Sequence, residues 1–245
     1  IVSGQKYKIV STDGDNEPAT GIVSGRQYKV VSTDGPSSSA STITAGRWYK
    51  TGTDNSGAVS NATSIRANGY YEVVSADSGL QTAATSIVSG RTYRIHSAGT
   101  TNWPSFGYSS GSIFTATSSG VPGSGTGIAI ETTDFGRLNG GVSVNPGVRF
   151  QANVNASGVS NVGPGRVKHY TNFADYGTIL GGQFQATSTA NAALVGTGSV
   201  TEFTNFAATF GSGGNSPFTA TATGNGSSGP GVVTSYTDFD TIYGS

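Results

Sequence analysis

Only two residues in this chain, His96 and His169, could act as imidazole bases near neutral pH. Neither stands at a recognisable catalytic or zinc-ligand spacing, so both read as surface or strand histidines. Asp238 and Asp240 could be imagined as a glycosidase acid pair. Alternate strand residues share a face by geometry alone, however, and Asp238 fills a turn-forming slot of a repeat. The aspartates beside glycine, as in Thr12-Asp13-Gly14 and Thr33-Asp34-Gly35, invite a calcium reading, yet each copy offers one carboxylate and no EF-hand loop surrounds it. Ordinary turn formation explains them. Gly123-Ser124-Gly125-Thr126-Gly127 superficially resembles a phosphate-cradling loop but lacks the following lysine and helix, so it reads as a flexible hairpin tip. No basic run is interleaved with aromatics as a nucleic-acid groove requires. The expectation is a protein with no catalytic, cofactor-binding or metal-binding residues, and hence not an enzyme.

Composition narrows the class further. Charged residues make up 11% of the 245-residue chain, Lys plus Arg equals Asp plus Glu at 13 each, and there are 38 glycines. A chain so poor in charge stays in solution through hydroxyls and backbone, and its neutrality permits close self-association. No net field steers it toward nucleic acid or an anionic membrane. Without cysteine it has no disulfide framework and no thiolate metal site. The absence of methionine suggests that residue 1 is a processed end or a fragment edge. No apolar run of about 20 residues is present, so membrane insertion is not expected.

Positioning falls to repeats. The stretch Ile22-Val23-Ser24-Gly25-Arg26-Gln27-Tyr28-Lys29-Val30-Val31-Ser32-Thr33-Asp34-Gly35 recurs from Ile1 and, more loosely, from Ile43, Ile65 and Ile87. A tyrosine always follows the isoleucine by six residues, placing Tyr7, Tyr28, Tyr49, Tyr71 and Tyr93 at intervals of 21, 21, 22 and 22. Fixed periods in this range signal a repeat architecture. Alternation around each tyrosine predicts a strand with one packed face. Ser41-Thr42-Ile43-Thr44, Thr63-Ser64-Ile65-Arg66 and Thr85-Ser86-Ile87-Val88 read as a second, shorter strand, and Ser24-Gly25, Ala45-Gly46 and Ser89-Gly90 as tight turns between the two. Each unit is therefore expected to be a β-hairpin.

From Trp103 the period lengthens to about 33–38 residues. A Thr, Asn/Asp, aromatic triplet ends in Trp103, Phe135, Phe173, Phe206 and Phe239. Between successive triplets lie Phe-x-Ala strands at Phe114, Phe150, Phe184 and Phe218, then glycine-rich turns at Gly125, Gly163, Gly196 and Gly229. The expected fold is all-β: tandem β-hairpin repeats in an elongated, fibre-like or solenoid-like array, with short-period units in 1–86 and long-period units in 87–245. Tyr7, Tyr28, Tyr49, Tyr71 and Tyr93 are expected to form one structural ladder, and Trp103, Phe135, Phe173, Phe206 and Phe239 another. An exposed tyrosine row that stacks sugars is the alternative.

The unit joining the arrays runs from Gly90-Arg91-Thr92-Tyr93-Arg94-Ile95-His96-Ser97 through Gly99-Thr100-Thr101-Asn102-Trp103 and Ile113-Phe114-Thr115-Ala116-Thr117 to Gly125-Thr126-Gly127. It resembles the Gly/Thr-rich β modules of tailed-phage structural proteins of the marine and cyanobacterial phage type. In those, a Tyr-x-Ile-x-Ser strand, a Gly-Thr-Thr-Asp-Phe segment, a Phe-Thr-Ala-Thr strand and a Gly-x-Gly-Thr-Gly tail occur in that order. Here Asn102-Trp103 replaces the usual Asp-Phe, and the early units keep only the first strand. The resemblance implies a fibre or decoration role on a virion surface, or otherwise an extracellular location. The implied partners are the chain itself as a homo-oligomer such as a trimer, and other virion proteins. A carbohydrate-binding adhesin that meets host surface glycans is the alternative, and a polysaccharide depolymerase stands behind it.

Overall fold

The computed structural model describes every residue except 1–4, 104–107, 109, 110, 118, 120–124, 143, 213, 215, 216, 244 and 245. Its sixteen strands form four antiparallel four-stranded sheets. The first sheet joins β1 (Asp13–Pro18) and β2 (Gln27–Ser32) to β15 (Phe218–Thr219) and β16 (Val232–Tyr236). The second joins β3 (Asp34–Ser39) and β4 (Trp48–Thr51) to β13 (Gln183–Gln185) and β14 (Ser199–Phe203). In the third, β5 (Ser60–Asn61) and β6 (Tyr70–Ser75) meet β11 (Arg149–Gln151) and β12 (Arg166–Tyr170). In the fourth, β7 (Asp77–Ala83) and β8 (Thr92–Ser97) meet β9 (Ile113–Thr115) and β10 (Ile128–Thr132).

One rule generates all four. A short-period unit supplies two strands and a long-period unit supplies two more. The long unit's second strand lies between the short unit's two, as in β1-β16-β2-β15 and β7-β10-β8-β9. The partners are nested, so the first short unit meets the last long unit and the fourth short unit meets the first long one. Each such sheet, with the turns that close it, is called a module below. Two compact units result: residues 1–53, 173–190 and 199–245 hold the first and second sheets, and residues 54–172 and 191–198 hold the third and fourth. The change of period at residue 86 falls between β7 and β8, which both pair with β10. The boundary between 1–86 and 87–245 therefore lies inside the fourth sheet.

The hairpins expected within the short units do not form, because the segments expected as their shorter strands are 3-10 turns, and a return strand lies between the strands that flank each turn. The connection must cross two strand spacings, roughly 10 Å, which a two-residue turn cannot span. It does so with a 3-10 turn followed by a buried isoleucine. Ala19, Ala40, Ala62 and Ala84 open these turns, and Ile22, Ile43, Ile65 and Ile87 follow three residues later, all buried. Three residues per turn bring the alanine and isoleucine to the same side. The segments read as short strands around Ile43, Ile65 and Ile87 are these turns. Glycine is still needed beside them, since Gly25, Gly46 and Gly90 have φ near +83° and Asn68 takes the same slot at φ 66°. The Asp13, Asp34 and Asp77 turns are likewise the first residues of strands.

Candidate functional site

Four of the five ladder tyrosines, Tyr28, Tyr49, Tyr71 and Tyr93, are buried. Their hydroxyls accept the backbone N–H of Val23, Thr44, Arg66 and Val88 at 2.9–3.1 Å. That bond explains the fixed six-residue interval, because the acceptor must reach the residue just after the isoleucine. The tyrosines do not share one core: Tyr28, Tyr71 and Tyr93 belong to three separate clusters. Each instead packs on the phenylalanine of a Phe-x-Ala strand, Tyr28 on Phe218, Tyr49 on Phe184, Tyr71 on Phe150 and Tyr93 on Phe114, with centroids 5.8–6.2 Å apart. The same phenylalanine takes the triplet aromatic on its other side, Phe206, Phe173, Phe135 or Trp103, at 5.8–6.5 Å. The two expected ladders are thus interleaved as four three-ring cores. Buried rings cannot stack sugars, so these tyrosines are not an exposed glycan row. Tyr7, at the start of the chain, is the exception and is exposed. Phe239 is half-buried.

The central rings Phe114, Phe150, Phe184 and Phe218 were legible as strand markers but not as bridges. The triplet threonines are a second signal. Thr101, Thr133, Thr171 and Thr204 are buried, and their hydroxyls accept the N–H of Gly127, Gly165, Gly198 and Gly231 at 2.7–3.0 Å. A Cβ on Gly165 would lie 2.6 Å from the Thr133 hydroxyl, and one on Gly125 2.2 Å from that of Thr101. Gly125 and Gly127 are therefore closely packed parts of the core rather than a flexible tip. Gly123 and Ser124 lie outside the described residues. The Asn/Asp of the triplet caps the helical turn that follows it. Asn205 accepts from Ala208 at the start of α2 (Phe206–Phe210), Asp134 from Gly136, and Asp238 from Thr241 of α3 (Phe239–Tyr243). The α1 turn (Gly136–Asn139) follows Phe135. Asp238 is thus a cap, and the hydrogen bond from Thr241 lowers its pKa.

Polar chemistry lies on the outer faces. Lys29 pairs with Asp13 at 2.5 Å and Lys50 with Asp34 at 2.6 Å, while Arg94 pairs with Asp77. Hydrogen bonds from Lys29 and Lys50 hold the Asp13 and Asp34 carboxyls below the ordinary range. In the third module Glu72 stands where the others carry a cation, and Arg149 bridges Glu72 at 3.0 Å and Asp54 at 2.7 Å. Cations also sit over rings at the last position of the return strands: Lys29 over Tyr236, Lys50 over Phe203 and Arg149 over Tyr170, at 4.5–5.3 Å. The fourth module has Thr132 at that position. Its buried hydroxyl is without a hydrogen-bond partner and lines a pocket of about 290 Å3 with Asp77, Arg94 and Asp134. A groove of about 500 Å3 runs past Thr63, Ser157, Asn161 and Pro164, and its one carboxylate, Glu131, is held by Arg91 at 2.9 Å.

His96 is exposed on β8. His169 stacks on Tyr71 with centroids 4.6 Å apart, its Nε2 lies 3.2 Å from the Leu194 carbonyl, and burial lowers its pKa. It is half-buried against the core tyrosine of the third module. Among the described residues no three His, Asp or Glu side chains gather as ligands of one metal ion would, and no helix is long and apolar enough to cross a membrane. Compared with protein-family models, with curated proteins and with solved structures, the chain matches none.

Proposed function

We propose that the chain is a non-enzymatic structural protein of a virion, a tail-fibre, head-fibre or capsid-decorating component of a tailed phage. The observation that carries this reading is the building of one module four times from two repeat types. Building one fold four times uses the sequence for shape, and His169, Asp238 and the acids paired with lysine or arginine serve a ring stack, a cap and ion pairs. The phage-like motifs of the joining unit, Tyr93 to Gly127, set the class. Open sheet edges on successive modules suit side-by-side association of copies, which gives an elongated homo-oligomer its rigidity. The test is immunogold labelling of intact particles of the source virus with antibody against the chain. Label on the tail or capsid surface is expected; unlabelled particles with the antigen confined to the host fraction would overturn the reading.

A carbohydrate-binding adhesin is the second reading, favoured by half-buried Trp48, Tyr70, Tyr170 and Tyr236 on outer faces. Several weak sites on successive modules would add by avidity. A glycan array separates the two, with binding lost in Trp48→Ala only if this reading holds.

A further inference from the structure

The fourth module keeps two of the three parts of an outer arrangement that the first and second modules show whole. In the first, Asp13 lies across the sheet from Tyr236, and Lys29 pairs with the acid while standing 4.6 Å from the ring centroid. In the second, Asp34 lies across from Phe203, and Lys50 pairs with the acid while standing 5.3 Å from the ring centroid. The third pairs its charges differently and still has a ring, Tyr170, with Arg149 over it at 4.5 Å. The fourth has the acid, Asp77, at the same register across from residue 132, and the cation, Arg94, paired with that acid. Its residue 132 is a threonine, so the arrangement has no ring of its own.

Two further observations point to a ligand at this place. Thr132 is fully buried and its hydroxyl has no hydrogen-bond partner, a state that folded proteins rarely leave unexplained. The pocket of about 290 Å3 that Thr132 lines also has an apolar rim, where Ile113, Val74 and Pro146 stand exposed. The matching pocket of the second module, about 270 Å3, has Phe203 in its wall and Gln183 at the slot of Ile113. A cavity of about 150 Å3 is enough to take benzene, so the pocket at Thr132 has room for one substituted ring. We propose that it binds a phenol, with the ring under Arg94 in the place that Tyr236, Phe203 and Tyr170 hold in the other modules. The guanidinium meets the ring face, Asp77 holds the guanidinium there, and Ile113, Val74 and Pro146 cover the apolar edge. The phenol hydroxyl meets that of Thr132, and because each can donate or accept, the pair is satisfied in either orientation. A free single-ring phenol and the tyrosine side chain of a partner offer this same chemistry.

The probe is p-cresol, titrated into the full chain by calorimetry and by ligand-observed NMR. Saturable one-to-one binding is expected, with a Kd of about 1 mM or below. Toluene, which keeps the ring and drops the hydroxyl, should bind about fivefold more weakly. Thr132→Val keeps the shape of the site and should abolish that preference, whereas Arg94→Gln should weaken both ligands about two- to fivefold. Thr132→Phe writes the second module's ring into the slot and should weaken p-cresol at least about tenfold in a chain that still melts cooperatively. N-acetyltyrosinamide run beside p-cresol separates the sources: tighter binding of the amide assigns the ring to a partner's side chain, and weaker binding assigns it to a free molecule. The proposal is overturned if p-cresol shows no saturable binding, if its advantage over toluene survives Thr132→Val, or if a folded Thr132→Phe chain binds it undiminished.

Discussion

The second and third modules share a core and differ in their charges. Tyr49, Phe184 and Phe173 in one match Tyr71, Phe150 and Phe135 in the other, ring for ring and within 0.7 Å in centroid spacing. Outside, the Lys50–Asp34 and Arg47–Glu202 pairs of the second module have no counterpart in the third. There the lysine slot holds Glu72, the arginine slot Gly69 and the glutamate slot His169, and Arg149 supplies the missing cation. The difference teaches that the aromatic core and the glycine–threonine closure define the module, whereas the outer charges can be rewired if a counter-charge comes from another strand.

If that is right, damage to the two cores should be equal and large. Phe184→Ala and Phe150→Ala should each cost about 3–5 kcal/mol in chemical denaturation; a twofold difference between them would break the equivalence. Removing only the hydroxyl in Tyr49→Phe or Tyr71→Phe should cost about 1–2 kcal/mol, because the Thr44 or Arg66 N–H loses its acceptor. A melting temperature unchanged in both would show that this bond is not what holds the six-residue interval.

His169 marks the third module alone. Its folded pKa lies below the ordinary 6.5 because burial disfavours the charged ring. As pH falls, the unfolded chain takes up the proton first, so this contribution is present above pH 6.5 and is lost below it. Stability should fall by up to about 1.4 kcal/mol per pH unit in that range. His169→Gln should flatten the slope, and a slope that survives the substitution would assign it elsewhere. The smallest effects belong to the exposed charges. Lys50→Gln should cost less than about 0.5 kcal/mol and Arg149→Gln about 1 kcal/mol, the latter because two acids lose one cation. Adding Glu72→Lys to Arg149→Gln copies the second module's arrangement and should restore most of the loss in urea denaturation.

The repeat was legible in the sequence down to its parts. The Ile-to-Tyr interval, the Phe-x-Ala strands, the Thr-Asn/Asp-aromatic triplets and the all-β class all stand in the structure. What the spacing of Tyr28, Tyr49, Tyr71 and Tyr93 could not show was whom each tyrosine touches. A period states that a residue recurs, and every short unit presents the same edge to every long unit, so local pattern leaves the pairing open. Connectivity decides it, because the chain reverses after Ser97 and the nearest units meet first. The hairpins were misread for a related reason: Ser24-Gly25 signals a turn, and nothing within 21 residues reveals that Val233 will occupy the gap. The candidate chemistry was legible mainly as scarcity; the roles of His169 and Asp238 needed their neighbours Tyr71 and Thr241.

Nested pairing also dictates an order of events. The strands of the fourth sheet lie within Asp77–Thr132, whereas those of the first are as far apart as Asp13 and Tyr236. Each doubling of a loop adds about 0.6 kcal/mol to its closure, so the fourth sheet has the easiest start and each later closure is shortened by the one before. At synthesis rates of roughly 5–20 residues per second, Gln27–Ser32 leaves the ribosome some 10–40 seconds before Val232–Tyr236 arrives to cover it. Of the paired template strands, those of the first sheet are thus made earliest and covered last, and the growing chain spends that interval with them open to any passing neighbour.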